Sequence, residues 1–144
     1  MIEFRSENLQ MPSLDFALMR EWIGLVCEAH GFVAGNINYL FCSDEHILKV
    51  NREFISHDYY TDIITFGYAR GRRVGGDVVI SLETVASNAK LVGEEFMTEL
   101  RRVIIHGVLH LCGIDDKGPG EREIMEREEN EALRMLYEIE NQRL

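Results

Sequence analysis

The chain has 144 residues, 46% apolar and 28% charged, the size and composition of one globular domain that buries about two-thirds of its unfolded surface. Its net charge of −10 argues against a non-specific nucleic-acid binder, which needs a basic surface. Cys27, Cys42 and Cys112 are an odd count without paired spacing and point to reduced thiols in a cytosolic setting; no leader peptide is visible, and no apolar run reaches the roughly 18 residues of a membrane span.

In chain order, "IEFRSEN" reads as a short strand. "PSLDFALMREWIGLVCEAHG" places Leu14, Leu18, Trp22, Leu25 and Val26 at helical spacing, opening near Pro12 and Ser13 and closing at Gly31. "NINYLFCS" alternates, with Ile37, Tyr39 and Phe41 on one face, and is a strand. "DEHILKVNREFI" returns to helical period with Ser43 or Asp44 as its cap. "TDIITFGYA" and "GDVVIS" are β-branched runs, separated by "RGRRVGG", which reads as a hairpin loop with a basic tip. "LETVASNAKLVG" and "EEFMTELRRVIIHGVLHLCG" follow as helices, the second with Phe96, Leu100, Val103, Ile104 and Leu111 on one face. The last segment is a long acidic amphipathic helix led by Ile124, Leu133 and Leu136, its outer face solvated. These elements predict an α+β fold: one small mixed β-sheet of about four strands, with about five helices packed mainly on one side, as a single unit over 1–144.

The chemistry concentrates in "HGVLHLCGIDD", residues 106–116. His106 and His110 stand one helical turn apart, about 6 Å of rise, on one side of the helix, a spacing that lets two imidazoles hold one metal ion. Gly113 is suited to end the helix in a left-handed conformation, after which Asp116 can return a carboxylate to the open side. Asp115 is the alternative ligand. Two imidazoles and a carboxylate leave a fourth position for water, the plan of a catalytic zinc site. The spacing also invites comparison with H-E-x-x-H metalloproteases, but the general-base position is Gly107 here, so peptidase chemistry loses its proton acceptor.

"HGVLHLCGIDD" resembles the H-G-x-L-H-L-x-G-Y-D-H signature of the YbeY-type endoribonucleases. "TDIITF" (61–66) is similar to that family's T-D-V-L-S-F, "GGDVVIS" (75–81) to its G-D-I-x-I-S, and "VNREF" (50–54) to the segment just upstream. The resemblance implies a cytoplasmic, metal-dependent hydrolase of single-stranded RNA, rather than DNA, implicated in maturing the 3′ end of 16S ribosomal RNA and in ribosome quality control. The family holds one zinc ion per chain on three histidines; mapped here, the ligands are His106, His110 and Asp116. The aspartate adds a negative charge that softens the Lewis acidity of a bound ion. The family's arginine after the aromatic of its Y-R segment is Ile55 here, and Arg52 is the neighbouring substitute. The resemblance also implies the small ribosomal subunit as a partner, with a ribosomal or assembly-factor protein possible beside it.

Arg70, Arg72 and Arg73 form the densest basic spot of the chain. They read equally as solvated charges that keep an edge from pairing and as phosphate contacts. Arg101 and Arg102 read as solvated or paired with Glu94, Glu95 or Glu99. Thr61 and Asp62 read as a turn and strand cap ahead of a role in the cleft, and Asp77 and Ser81 likewise. His57 reads as an exposed loop residue, with a phosphate contact or a proton carrier as its functional alternative, and His30 and His46 read as surface or capping residues. No protein general base is evident, so the sequence does not choose between attack by water and attack by the ribose 2′-hydroxyl. Two other classes remain: a non-catalytic ribosome-assembly factor with structural zinc, and a metallohydrolase of another substrate.

Overall fold

A computed structural model describes residues 1–55 and 61–143, with backbone only for Phe54 and Ile55. The described elements are β1 (Ile2–Ser6), α1 (Phe16–Ala29), β2 (Val33–Cys42), α2 (Asp44–Val50), a π-helical turn (Asn51–Ile55), β3 (Ile63–Arg70), β4 (Arg73–Ser81), α3 (Leu82–Val92), α4 (Phe96–Leu111) and α5 (Glu121–Gln142). The sheet runs β1-β2-β4-β3, with β1 and β4 parallel to β2 and β3 antiparallel to β4. The architecture is the α+β fold with one mixed sheet that the periodicities predict.

Ile37, Tyr39 and Phe41 of β2 are fully buried, as their alternation requires. They form one core with Trp22 and Ile23 of α1 and with Leu100, Ile104 and Val108 of α4. Tyr39 is buried on condition that its hydroxyl donates to Ile104 O at 3.0 Å, and Trp22 Nε1 likewise donates to Ala132 O at 2.7 Å. A smaller cluster of Cys42, Ile47, Ile64 and Val79 lies under α2 on the other face of the sheet. All three cysteines are buried and free.

Several expectations are corrected. Helix α1 opens later than Pro12–Ser13: Asp15 is the cap, its side chain accepting from Leu18 N. Leu25 is exposed, as is Ile124; α5 buries the expected Leu133 and Leu136, joined by Met125 and Ala132 in place of Ile124. The segment 70–76 is no broad loop. Arg70 pairs directly with Arg73, and Gly75 and Gly76 stand inside β4 opposite Tyr68 and Gly67. Glycine doublets read as a turn from sequence, but here their missing side chains make room for β3.

Candidate metal centre

Helix α4 carries the centre, and its position is set by Gly107. A Cβ on Gly107 would stand 2.9 Å from Val78 Cγ1 and 3.1 Å from Ile63 Cδ1. The helix therefore lies directly against β3 and β4, and a protease's glutamate has no space at this point. His106 and His110, flanking that contact and sharing a cleft with Ile63 and Thr65, hold their rings edge to face with centroids 4.5 Å apart.

The helix ends as the sequence requires. Gly113 has φ +91°, its N–H donates to His110 O at 2.9 Å, and Ile114 N donates to Leu109 O at 3.0 Å. That pair of bonds is the Schellman arrangement. It reverses the chain and brings Asp116 back to the histidines, with Oδ2 3.3 Å from His106 Nε2 and Oδ1 3.6 Å from His110 Nε2. One ligand atom from each of the three residues lies within 4.8 Å of the others. Two imidazoles and a carboxylate that converge in this way fit a divalent metal ion. Asp115 lines the same cleft, but the converging set is completed by Asp116.

Behind His106 stands a residue that sequence reasoning missed. Glu129 of α5 is buried, and its Oε2 lies 2.6 Å from His106 Nδ1. Arg102 donates to Glu129 Oε1 at 3.0 Å. The carboxylate holds Nδ1 as the protonated nitrogen, so the lone pair of Nε2 is left free to ligate a metal on the side of Asp116. Burial alone would lower the pKa of His106, but the Glu129 hydrogen bond and the charges of Glu129, Asp116 and Asp62 outweigh it and raise the value. His110, lacking such a partner, is lowered by burial and by the charge of His106. Nothing in the acidic run of α5 distinguishes Glu129 from its neighbours; only its register on the packed face does.

A cleft of about 530 Å³ opens over the centre, lined by Asn51, Thr61–Thr65, His106, His110 and the loop 115–118. Thr61 and Asp62 are thus cleft residues, not merely a turn. Burial pushes the Asp62 carboxyl up, opposed by the charge of His106 and helped by that of Glu129. A second cleft of about 640 Å³ shares Asp62, His106 and Asp116 but is walled by Glu94, Glu99 and Glu126. Arg101 and Arg102 form their ion pairs with Glu140 and Glu129 of α5 rather than with Glu94, Glu95 or Glu99.

The profile of the family described as Endoribonuclease YbeY matches residues 1–137. This chain belongs to that family. Among its curated relatives, the endoribonuclease YbeY of Parabacteroides distasonis is 53% identical over 95% of this chain and 96% of its own length. That of Bacteroides thetaiotaomicron is 54% identical over 93% and 98%. A Thermotoga maritima protein known from its solution structure has the same fold, with a TM-score of 0.63 and 23% identity over 99% of this chain and 93% of its own. Within the YbeY frame, the other predicted contact residues fall in two places. Arg52 is exposed beside the buried, cleft-lining Asn51. Arg70, Arg72 and Arg73 stand at the far end of the β3–β4 hairpin from the cleft. The side chain of Ile55, and all of His57, lie outside the described residues.

Proposed function

We propose that this protein is a metal-dependent endoribonuclease that cleaves single-stranded RNA, acting in the cytoplasm on the 3′ end of 16S ribosomal RNA and in ribosome quality control. The observation that carries the reading is the convergence of His106, His110 and Asp116 at the floor of an open cleft, in a chain whose relatives are named endoribonucleases. One zinc ion suits this donor set, and when bound it supplies Lewis acidity at a phosphoryl oxygen and lowers the pKa of water.

The chain's own residues do the rest. Glu129 fixes the tautomer and orientation of His106. Asp62, its carboxyl raised by burial within the cleft, takes the proton from the attacking oxygen, whether of water or of a ribose 2′-hydroxyl. Lys117 at the cleft wall, with Arg52 nearby and Arg70, Arg72 and Arg73 farther along the hairpin, meets the phosphates. The test is cleavage of a single-stranded RNA by protein stripped with a chelator and then given back zinc. Cleavage lost and then restored supports the reading, whereas cleavage indifferent to both steps overturns it.

A non-catalytic assembly factor is the second reading, favoured by the acids Asp62, Asp115, Asp116 and Glu121 that line the cleft around a single lysine, Lys117. A zinc-loaded protein that leaves RNA intact selects it.

A further inference from the structure

The face of the sheet opposite α4 is only partly covered. Strand β3 alternates: Ile63 and Thr65 face Gly107 of α4, so Phe66, Tyr68 and Arg70 face the other way. Helix α2 covers the part near Ile64 and Val79. Tyr68, farther along, is 49% exposed.

Tyr68 reaches over the sheet: a Cβ on Gly75, its cross-strand partner, would stand 2.7 Å from Tyr68 Cζ, so the phenol end of the ring occupies space that a side chain would fill, while half of the residue stays exposed. Its hydroxyl donates to Asn36 O at 3.4 Å, which tethers the ring. Arg70 and Arg73 face each other across the strands one step beyond. In this acidic chain several arginines are held by carboxylates, Arg101 by Glu140, Arg102 by Glu129, Arg134 by Glu131 and Glu138, and Arg143 by Glu21, while Arg20 donates to Ile2 O and lies over Phe4. Among the described residues, Arg70 and Arg73 make no such pair. Asp77, two residues from Gly75 on β4, offers an acceptor to a base amino group on the same face.

We infer that Tyr68, with Arg70 and Arg73, is a nucleobase-stacking platform for the single-stranded RNA whose backbone enters the metal cleft. A fixed aromatic face beside free guanidinium groups is what an unstacked base and its phosphate require. Pre-positioning of the ring removes part of the ordering cost of binding. Tyr68 is three residues beyond the cleft residue Thr65, roughly 10 Å along the strand. Because β3 is the edge strand of the sheet among the described residues, a single strand can pass from cleft to platform around that edge. This inference rests on the nuclease reading of the cleft, and adds where the substrate is held beside the scissile bond.

The alternative is that Tyr68 merely covers the backbone at Gly75. Tyr68→Leu keeps that cover and removes the π face, and Tyr68→Trp turns the platform into a reporter, since Trp22 is fully buried and bonded to Ala132 O. The experiment uses zinc-loaded full-length protein and a labelled 2′-O-methyl oligouridylate, which resists cleavage. We expect Tyr68→Leu to weaken binding by roughly five- to a hundredfold with unchanged metal content and thermal midpoint, Arg70→Ala/Arg73→Ala to weaken it further, and Tyr68→Trp emission to be quenched on binding. Equal affinity of wild type and Tyr68→Leu with unquenched Trp emission overturns the platform, as does a Trp signal that answers to a basic peptide and not to RNA. Wild type that binds no oligonucleotide overturns it too, while cleavage of unmodified RNA by the same preparation shows separately whether the nuclease reading stands.

Discussion

At the residue scale the centre depends on groups outside its three converging side chains. Removing the charge of Glu129 leaves His106 free to rotate and to take the other tautomer. Glu129→Gln is therefore expected to weaken zinc affinity about 10- to 100-fold, measured by competition with a chromophoric chelator, with the fold retained in circular dichroism. Asp116→Ala is expected to lose the metal and Asp115→Ala to keep it; the reverse result would transfer the ligand role to Asp115. Asp62→Asn is expected to keep zinc and lose most RNA cleavage, since an amide takes no proton. The raised pKa of His106 also has a sign. In metal-free protein, an imidazolium held by Glu129 and Asp116 contributes stability that is fully present below the unfolded value of about 6.5 and is lost as pH rises through the folded value. Denaturant unfolding of metal-free wild type should thus show that contribution fading above pH 6.5, and Glu129→Gln should lack most of it.

At the scale of elements, the site is a consequence of how α4 meets the sheet. Gly107 allows the contact, and the Schellman turn at Gly113 returns Asp116 to it. Gly107→Ala places a methyl 2.9 Å from Val78 Cγ1 and is expected to cost about 1–3 kcal/mol by overpacking, read as a lowered thermal midpoint. Zinc affinity should fall with it, because α4 must shift. This also explains what was legible in the sequence. The histidine spacing, the glycine after them and the returning aspartate are local, so eleven consecutive residues announced the site. Glu129 arrives from a helix that begins after the site motif ends, and one inward glutamate among many outward ones leaves no local mark. The glycines at 75 and 76 misled for a related reason: their role lies in a neighbouring strand, where Tyr68 and Gly67 use the space. A cleft role for Asp62 was legible only as the alternative to a cap, since a threonine–aspartate pair before a strand has the chemistry of both.

At the scale of the whole molecule, a net charge of −10 and an RNA substrate are reconciled by local distribution. The second cleft is mostly acidic, while Arg70, Arg72 and Arg73 cluster at the tip of the β3–β4 hairpin. Few phosphates are therefore engaged. With about three to four contacts, the logarithm of RNA affinity should fall against the logarithm of salt concentration with a slope of about −2 to −3, shallow for a nucleic-acid enzyme, and measurable by anisotropy over a salt series. A much steeper slope would mean a basic surface that the described residues do not present.

The central claim is that His106, His110 and Asp116 hold a metal on which RNA cleavage depends. Its most direct test is zinc content and single-stranded RNA cleavage measured on the same preparations of wild type, His110→Ala and Asp116→Ala. The account predicts about one zinc per chain and cleavage in wild type, with both lost together in each variant. Cleavage that persists in variants stripped of zinc would contradict it.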